Sequence, residues 1–296
     1  MLNDRNKNLL LYHFIVFLYG FTSILGVLIS LKALPIVIYR MLIGAIGLAI
    51  FFLIINPTYF RINKKVFKKV FFSGIIIGAH WVTFFYAIKI STISITLSMM
   101  SAGALITAFI DPVYNRKKIS PYEIFFGCIT IIGVIVIYRA EFEHLAGITI
   151  ALLSAFLSSI FTILNRNLVR RNNFITLSFY ELLIGGLACL IFYLFTNDFK
   201  SFDFELKGYD FLWILILGII CTSYAFNASI KVLRHLSSFT VMMIINLEPI
   251  YGIILSILIW KDEAFLSLNF YIGFAIVLSS ILMDTFYKMN KESEII

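Results

Sequence analysis

A chain of 296 residues that is 61% apolar and only 14% charged, with a mean hydropathy of +0.97, lies outside the roughly half-apolar, quarter-charged balance of soluble domains. The apolar excess falls in runs near twenty residues, the length a helix needs to cross about 30 Å of hydrocarbon, so lipid is the solvent. The net charge of +8 is spread over many short segments rather than one stripe, which argues against a nucleic-acid partner and for orientation in a bilayer.

In chain order, the first run, 9–30, follows Arg5 and Lys7. It is too long for the apolar stretch of a signal peptide and lacks a small-x-small cleavage site, so it reads as a retained helix. Further spans are expected at 35–55, 70–88, 93–111, 122–138, 147–165, 174–196, 210–230, 237–259 and 270–287, giving ten transmembrane helices. Cys128, Cys189 and Cys221 lie inside apolar runs with no metal or disulfide spacing. Neither a metal nor a cofactor is called for.

With a cytoplasmic N-terminus, seventeen of the 24 basic residues fall on inside segments, among them Lys64, Lys65, Arg116, Lys118 and Arg170. Six fall outside (Lys32, Lys89, Arg139, Lys200, Lys207 and Lys261), and Arg40 is left within a span. The positive-inside rule therefore predicts a multi-pass protein of the cell inner membrane with both termini cytoplasmic. The acidic outer segments agree, with Glu141 and Glu143 in one and Asp198, Asp203, Glu205 and Asp210 in another.

The chain also repeats itself. At an offset of 141, Tyr39–Leu53 (YRMLIGAIGLAIFFL) aligns with Tyr180–Leu194 (YELLIGGLACLIFYL) with seven of fifteen positions identical, including Gly44 with Gly185. Ala87–Lys89 pairs with Ser229–Lys231, Met99 with Met242, and Gly127 with Gly273, at slightly larger offsets that loops absorb. Two repeats of five helices follow, residues 1–140 and 141–296, and an odd helix number forces the second to insert inverted, the plan of many secondary transporters.

In the second half, NASIKVLRHLSSFTVMMIINLEPIYGIILSILIWKDE (Asn227–Glu263) resembles the drug/metabolite transporter superfamily, specifically the EamA-type ten-helix permeases. HWVTFFYAIKIS (His80–Ser91) resembles their third helix and the turn after it. The first half departs from the pattern, reading SAGALITAF where such permeases often carry a proline, and Arg116–Lys118 where an acidic residue is common. The resemblance implies a central cavity surrounded by the first, third, fourth, sixth, eighth and ninth helices, with the fifth and tenth bracing the outside.

Polar groups at membrane depth are costly unless paired or wet, which makes each a candidate site residue. Glu248 lies mid-span beside Pro249, whose missing N–H leaves the Ile245 carbonyl without its usual partner; carboxylate and carbonyl could together hold an ammonium group or a proton. The competing reading is a neutral acid fixing helix packing. His80 could titrate or bond a neighbouring helix, and Trp81 could stack on a planar or cationic substrate or simply pack. Tyr19, Ser23, Tyr224, Asn227 and Asn246 sit in helices that the resemblance places at the cavity, Tyr224 and Asn227 sharing one face.

Arg40 and Glu181 occupy equivalent repeat positions with opposite charge, near the outer and inner faces respectively. Gating or coupling is one role for them, and snorkelling or a local partner the other.

The expected function is a secondary transporter, a permease or exporter, moving small organic metabolites by alternating access. One basic residue inside the spans favours amino acids or related zwitterionic or amphiphilic solutes over nucleotide sugars. The alternative is a channel or a structural or sensory membrane protein. An enzyme is set aside, because no HExxH or comparable catalytic pairing occurs. Partners are the small-molecule substrate and the bilayer; monomer and homodimer both remain open.

Overall fold

The structure is a computed structural model that describes residues 4–116, 118–119, 121–140, 142–196, 201–260 and 267–293. Lys117, Glu141, Asp198, Lys200, Lys261 and Glu263, which entered the charge count or the resemblance, lie outside the described residues. Among the described residues the chain is helical throughout, without a strand.

The first half comprises α1 (Asp4–Leu28), α2 (Ala33–Ile55), α3 (Lys64–Ile90), α4 (Ile93–Met100), α5 (Ala102–Tyr114) and α6 (Pro121–Ala140). The second comprises α7 (Leu145–Val169), α8 (Phe174–Thr196), α9 (Asp210–Gly218), α10 (Ala225–Val232), α11 (Ser238–Ile245), α12 (Glu248–Ile259) and α13 (Leu268–Ser293). Among the described residues seven stretches are long and apolar enough to cross a membrane: 7–28, 33–55, 64–90, 93–114, 145–169, 174–196 and 210–232. Three shorter apolar helices, Phe125–Ile137, Glu248–Ile259 and Leu268–Ser280, accompany them.

Polar residues between the runs start the helices. The Asn63 side chain accepts from the Lys65 N–H at the head of α3, Thr92 from Ile95 at α4, and Asn173 from Ile175 at α8. Each satisfies a donor that the helix itself leaves open.

Three of the predicted spans are interrupted. Ser101 separates α4 from α5, and a π-helical turn at Ile219–Tyr224 joins α9 to α10, where Thr222 Oγ1 donates to the Leu217 carbonyl at 2.7 Å. Asn246 and Leu247 separate α11 from α12, just ahead of Pro249. Non-helical backbone at such depth is tolerated where protein or a cavity surrounds it.

Small residues set the helix spacing. A Cβ at Gly74 would stand 2.9 Å from the Glu181 carbonyl, so α3 and α8 touch backbone to backbone. Gly133 of α6 and Gly273 of α13 meet in the same way, a Cβ on either lying 2.8 Å from the other's carbonyl oxygen.

Candidate functional site

A cavity of about 80 Å³ opens in the middle of the bundle, walled by α1, α2, α3, the end of α4, α7, α10 and the broken α11–α12 segment. At about 10–15 Å³ per water that is room for several molecules. Its polar groups come from separate helices. Arg40 projects from α2, His80 and Trp81 from α3, Tyr12 and Tyr19 from α1, and Glu248 opens α12.

Arg40 is 2% exposed, so its side chain turns into the bundle rather than snorkelling out along it. The physical reason is local. Its guanidinium carbon lies 3.8 Å from the centre of the Trp81 ring and 5.4 Å from that of Phe85, and Nε donates to Thr222 Oγ1 at 3.1 Å. Aromatic faces and a hydroxyl replace the water the cation has lost. The resemblance had left this helix out of the wall, and Arg40 brings it in.

Glu248 takes no hydrogen bond and no ion pair among the described residues, yet it faces the same cavity as Arg40. It is the first residue of α12. Pro249 donates nothing back to Ile245, another wall residue.

The His80 ring is fixed by α7. Nδ1 lies 3.0 Å from the Ser154 carbonyl and 2.8 Å from its hydroxyl, while Ser154 Oγ donates to the His80 carbonyl at 2.9 Å. A carbonyl only accepts, so the neutral ring carries its proton on Nδ1 and keeps Nε2 as an acceptor. The interhelical bond and the cavity position therefore coexist in one side chain.

Aromatic rings complete the wall. Phe226 meets Trp81 edge-on at 5.3 Å and stacks on Phe161 at 5.7 Å, so the space beside Arg40 and Glu248 is flat-sided and apolar. Tyr19 reaches the Ala225 carbonyl with its hydroxyl at 3.5 Å.

Of the residues singled out from sequence, Glu248, His80, Trp81, Tyr19 and Arg40 converge here. Five do not. Ser23 is fully buried, donates to the Gly20 carbonyl at 2.7 Å and lies where α1 meets Gly252 of α12. Tyr224 is 49% exposed on the outside of the bundle. Asn227, three residues on, is half-buried with its Oδ1 unpartnered.

Asn246 is buried in the α11–α12 break with both amide atoms unpartnered. Glu181 belongs to a different cluster on α3, α7 and α8.

Residues missed from sequence include Tyr12, Thr22, Ser158 and Thr162, all at the cavity. One signal was available: Ser154, Ser158, Thr162 and Asn165 recur at helical spacing and so share a face of α7. Among the described residues no group of His, Cys, Asp and Glu could hold a metal ion.

A multi-pass helical bundle, with half-helices meeting around a buried cavity lined by an arginine and a glutamate, is the architecture of a membrane transporter. The sequence profile of the EamA-like transporter family matches the chain twice, over residues 7–139 and 145–285, and the protein belongs to that family within the drug/metabolite transporter superfamily. A solved crystal structure superposes with a TM-score of 0.70 over 94% of this chain and 96% of its own, at 15% identity; at that identity the likeness speaks for the fold alone. No curated protein matches the sequence.

Proposed function

We propose that the protein is a secondary transporter that carries amino acids or related zwitterionic or amphiphilic metabolites across the inner membrane by alternating access. The observation that carries this reading is the pair Arg40 and Glu248, opposite charges on one cavity that form no ion pair with each other. A zwitterion fits between them, its carboxylate toward the guanidinium and its ammonium toward Glu248 and the Ile245 carbonyl. Its side chain would lie among Trp81, Phe161 and Phe226. A purely anionic phosphate ester would meet one cation and one repelling carboxylate.

In this reading ten helices cross the bilayer. The interrupted pairs α4–α5 and α11–α12, and the α9–α10 stretch, each count once, and both termini are cytoplasmic by the distribution of basic residues. Residues 1–140 and 141–296 form the two inverted repeats, which rock about the cavity. The breaks at Ser101 and Asn246 supply hinges beside it.

The test is reconstitution in liposomes and uptake of labelled amino acids and small metabolites, with and without a pH gradient, for wild type and Glu248→Gln. Saturable uptake, stimulated by substrate on the opposite side and lost in the variant, is the expected result. Non-saturating flux would mean a channel, and absence of flux for every solute would remove the carrier reading.

A further inference from the structure

Away from the cavity, three side chains from three helices close into a buried cluster. Glu181 of α8, Asn165 of α7 and Ser73 of α3 are each fully buried. Ser73 Oγ donates to Glu181 Oε1 at 2.7 Å, and Asn165 Nδ2 donates to the same Oε1 at 2.8 Å and to Ser73 Oγ at 2.9 Å. Glu181 Oε2 and Asn165 Oδ1 have no partner among the described residues.

Both orphans are acceptors, carried by a carboxyl and a carboxamide that one hydrogen bond already joins. A bare acceptor in a dry interior costs about 1–3 kcal/mol. A proton on Oε2 would turn that orphan acceptor into a donor, and Asn165 Oδ1 is the unpartnered acceptor in the same cluster. Oε1 then remains the carbonyl-like oxygen that accepts from Ser73 and Asn165.

Among the described residues no other charge is placed to compete for the carboxyl. From α3, Lys68 and Lys69 are exposed and His80 is held by Ser154. From α2, Tyr39 bonds the Phe204 carbonyl and Arg40 is engaged at Trp81 and Thr222. On α7, Arg166 is turned about 100° from Asn165, with Arg170 and Asp111 as its electrostatic neighbours. From α10, exposed Lys231 lies 5.9 Å from the Phe174 ring centre, and Tyr180 of α8 donates to the Phe60 carbonyl.

The cluster is also connected to the cavity. Ser158 and Thr162 line it, and Asn165 continues the same face of α7 less than one turn beyond Thr162.

We infer that Glu181, held by Asn165 and Ser73, is a proton-binding site beside the substrate cavity and separate from the substrate-binding groups. Loading it closes the α3–α7–α8 contact. Unloading it leaves a buried carboxylate with two donors and no cation, which favours a conformation that lets water in. Proton occupancy is thereby linked to the state of the bundle. The linkage to transport rests on the carrier reading above; the proton site does not.

Two measurements separate them. Infrared difference spectra of the full chain in lipid nanodiscs, between acidic and alkaline buffer, should show a protonated-carboxyl C=O band. The band should vanish in Glu181→Gln and move to higher frequency in Asn165→Leu or Ser73→Ala, which strip bonds from the acid. The same band in wild type and Glu181→Gln overturns the site.

In proteoliposomes with a labelled amino-acid mixture, Glu181→Gln should keep exchange of label across the membrane and lose accumulation driven by a pH gradient. Equal accumulation in both proteins overturns the linkage. If wild type moves no label, the carrier reading has failed while the infrared result still decides the proton site.

Discussion

The guanidinium of Arg40 stands over the face of Trp81, 3.8 Å from carbon to ring centre, so a cation from α2 and an indole from α3 form one unit in the cavity wall. A desolvated cation–π contact is worth about 2 kcal/mol, and here it orients the guanidinium. Trp81→Leu should raise the concentration for half-maximal amino-acid uptake roughly tenfold or more, on the scale of tenfold per 1.4 kcal/mol. Arg40→Lys should do at least as much, because an ammonium cannot serve the ring, Thr222 and a carboxylate in one plane. Concentration-dependent uptake into proteoliposomes checks both. Wild-type kinetics in either variant would remove Arg40 from recognition.

Glu248 makes a different demand on the substrate. If its carboxylate receives the ammonium, Glu248→Gln should weaken binding of an amino acid by tenfold or more and leave binding of its deaminated carboxylate analogue unchanged or tighter. Competition of unlabelled compounds against labelled amino acid, compared between the two proteins, reads the difference directly. Equal losses for both compounds would make Glu248 a packing residue.

Ser154 holds His80 twice, by its carbonyl and its hydroxyl. Ser154→Ala deletes only the hydroxyl, so the ring keeps its tautomer through the carbonyl. The expected cost is about 1 kcal/mol of stability with uptake kept within a factor of a few. Thermal unfolding in detergent, set beside flux, distinguishes this from a direct role of the hydroxyl in transport.

Much of this arrangement was visible in the residues themselves. A glutamate, a histidine and an arginine interrupting apolar runs stand out because burying them is expensive, and Glu248, His80 and Arg40 meet at one cavity for that reason. Pro249 announced the break before α12. The interruptions at Ser101 and Ile219–Tyr224 left no comparable mark, because hydropathy records composition and is blind to which carbonyl a given N–H reaches.

Ser158 and Thr162 hid among hydroxyls that membrane helices commonly satisfy on their own backbone, as Thr162 does with the Ser158 carbonyl. The destination of Arg40 depends on an indole 41 positions away in sequence, and helix periodicity carries no information about which faces meet. Tyr224 shows the same gap in reverse: it lies two residues before the wall residue Phe226, yet on the outer side.

That outward position makes Tyr224 a useful control. Tyr224→Ala removes a half-exposed ring that bounds no part of the cavity, so uptake kinetics should match wild type, with stability within about 0.5 kcal/mol. A tenfold change in half-saturation would bring the residue back into the binding region in another conformation of the transport cycle.

The contact between α6 and α13 is tested through its glycines. A methyl at Gly133 would stand 2.8 Å from the Gly273 carbonyl oxygen and 3.0 Å from the Val277 nitrogen, and these are backbone atoms that cannot swing aside. Either Gly133→Ala or Gly273→Ala must therefore push the two helices apart, with a cost of about 1–3 kcal/mol for overpacking. The double variant should cost less than the sum of the singles, since the first substitution already opens the gap that the second fills. Both helices stand off the cavity, so the expected signature is a lowered unfolding temperature in detergent with unchanged half-saturation for uptake. A shift in half-saturation at intact stability would mean that the α6–α13 pair moves with the cavity rather than bracing it.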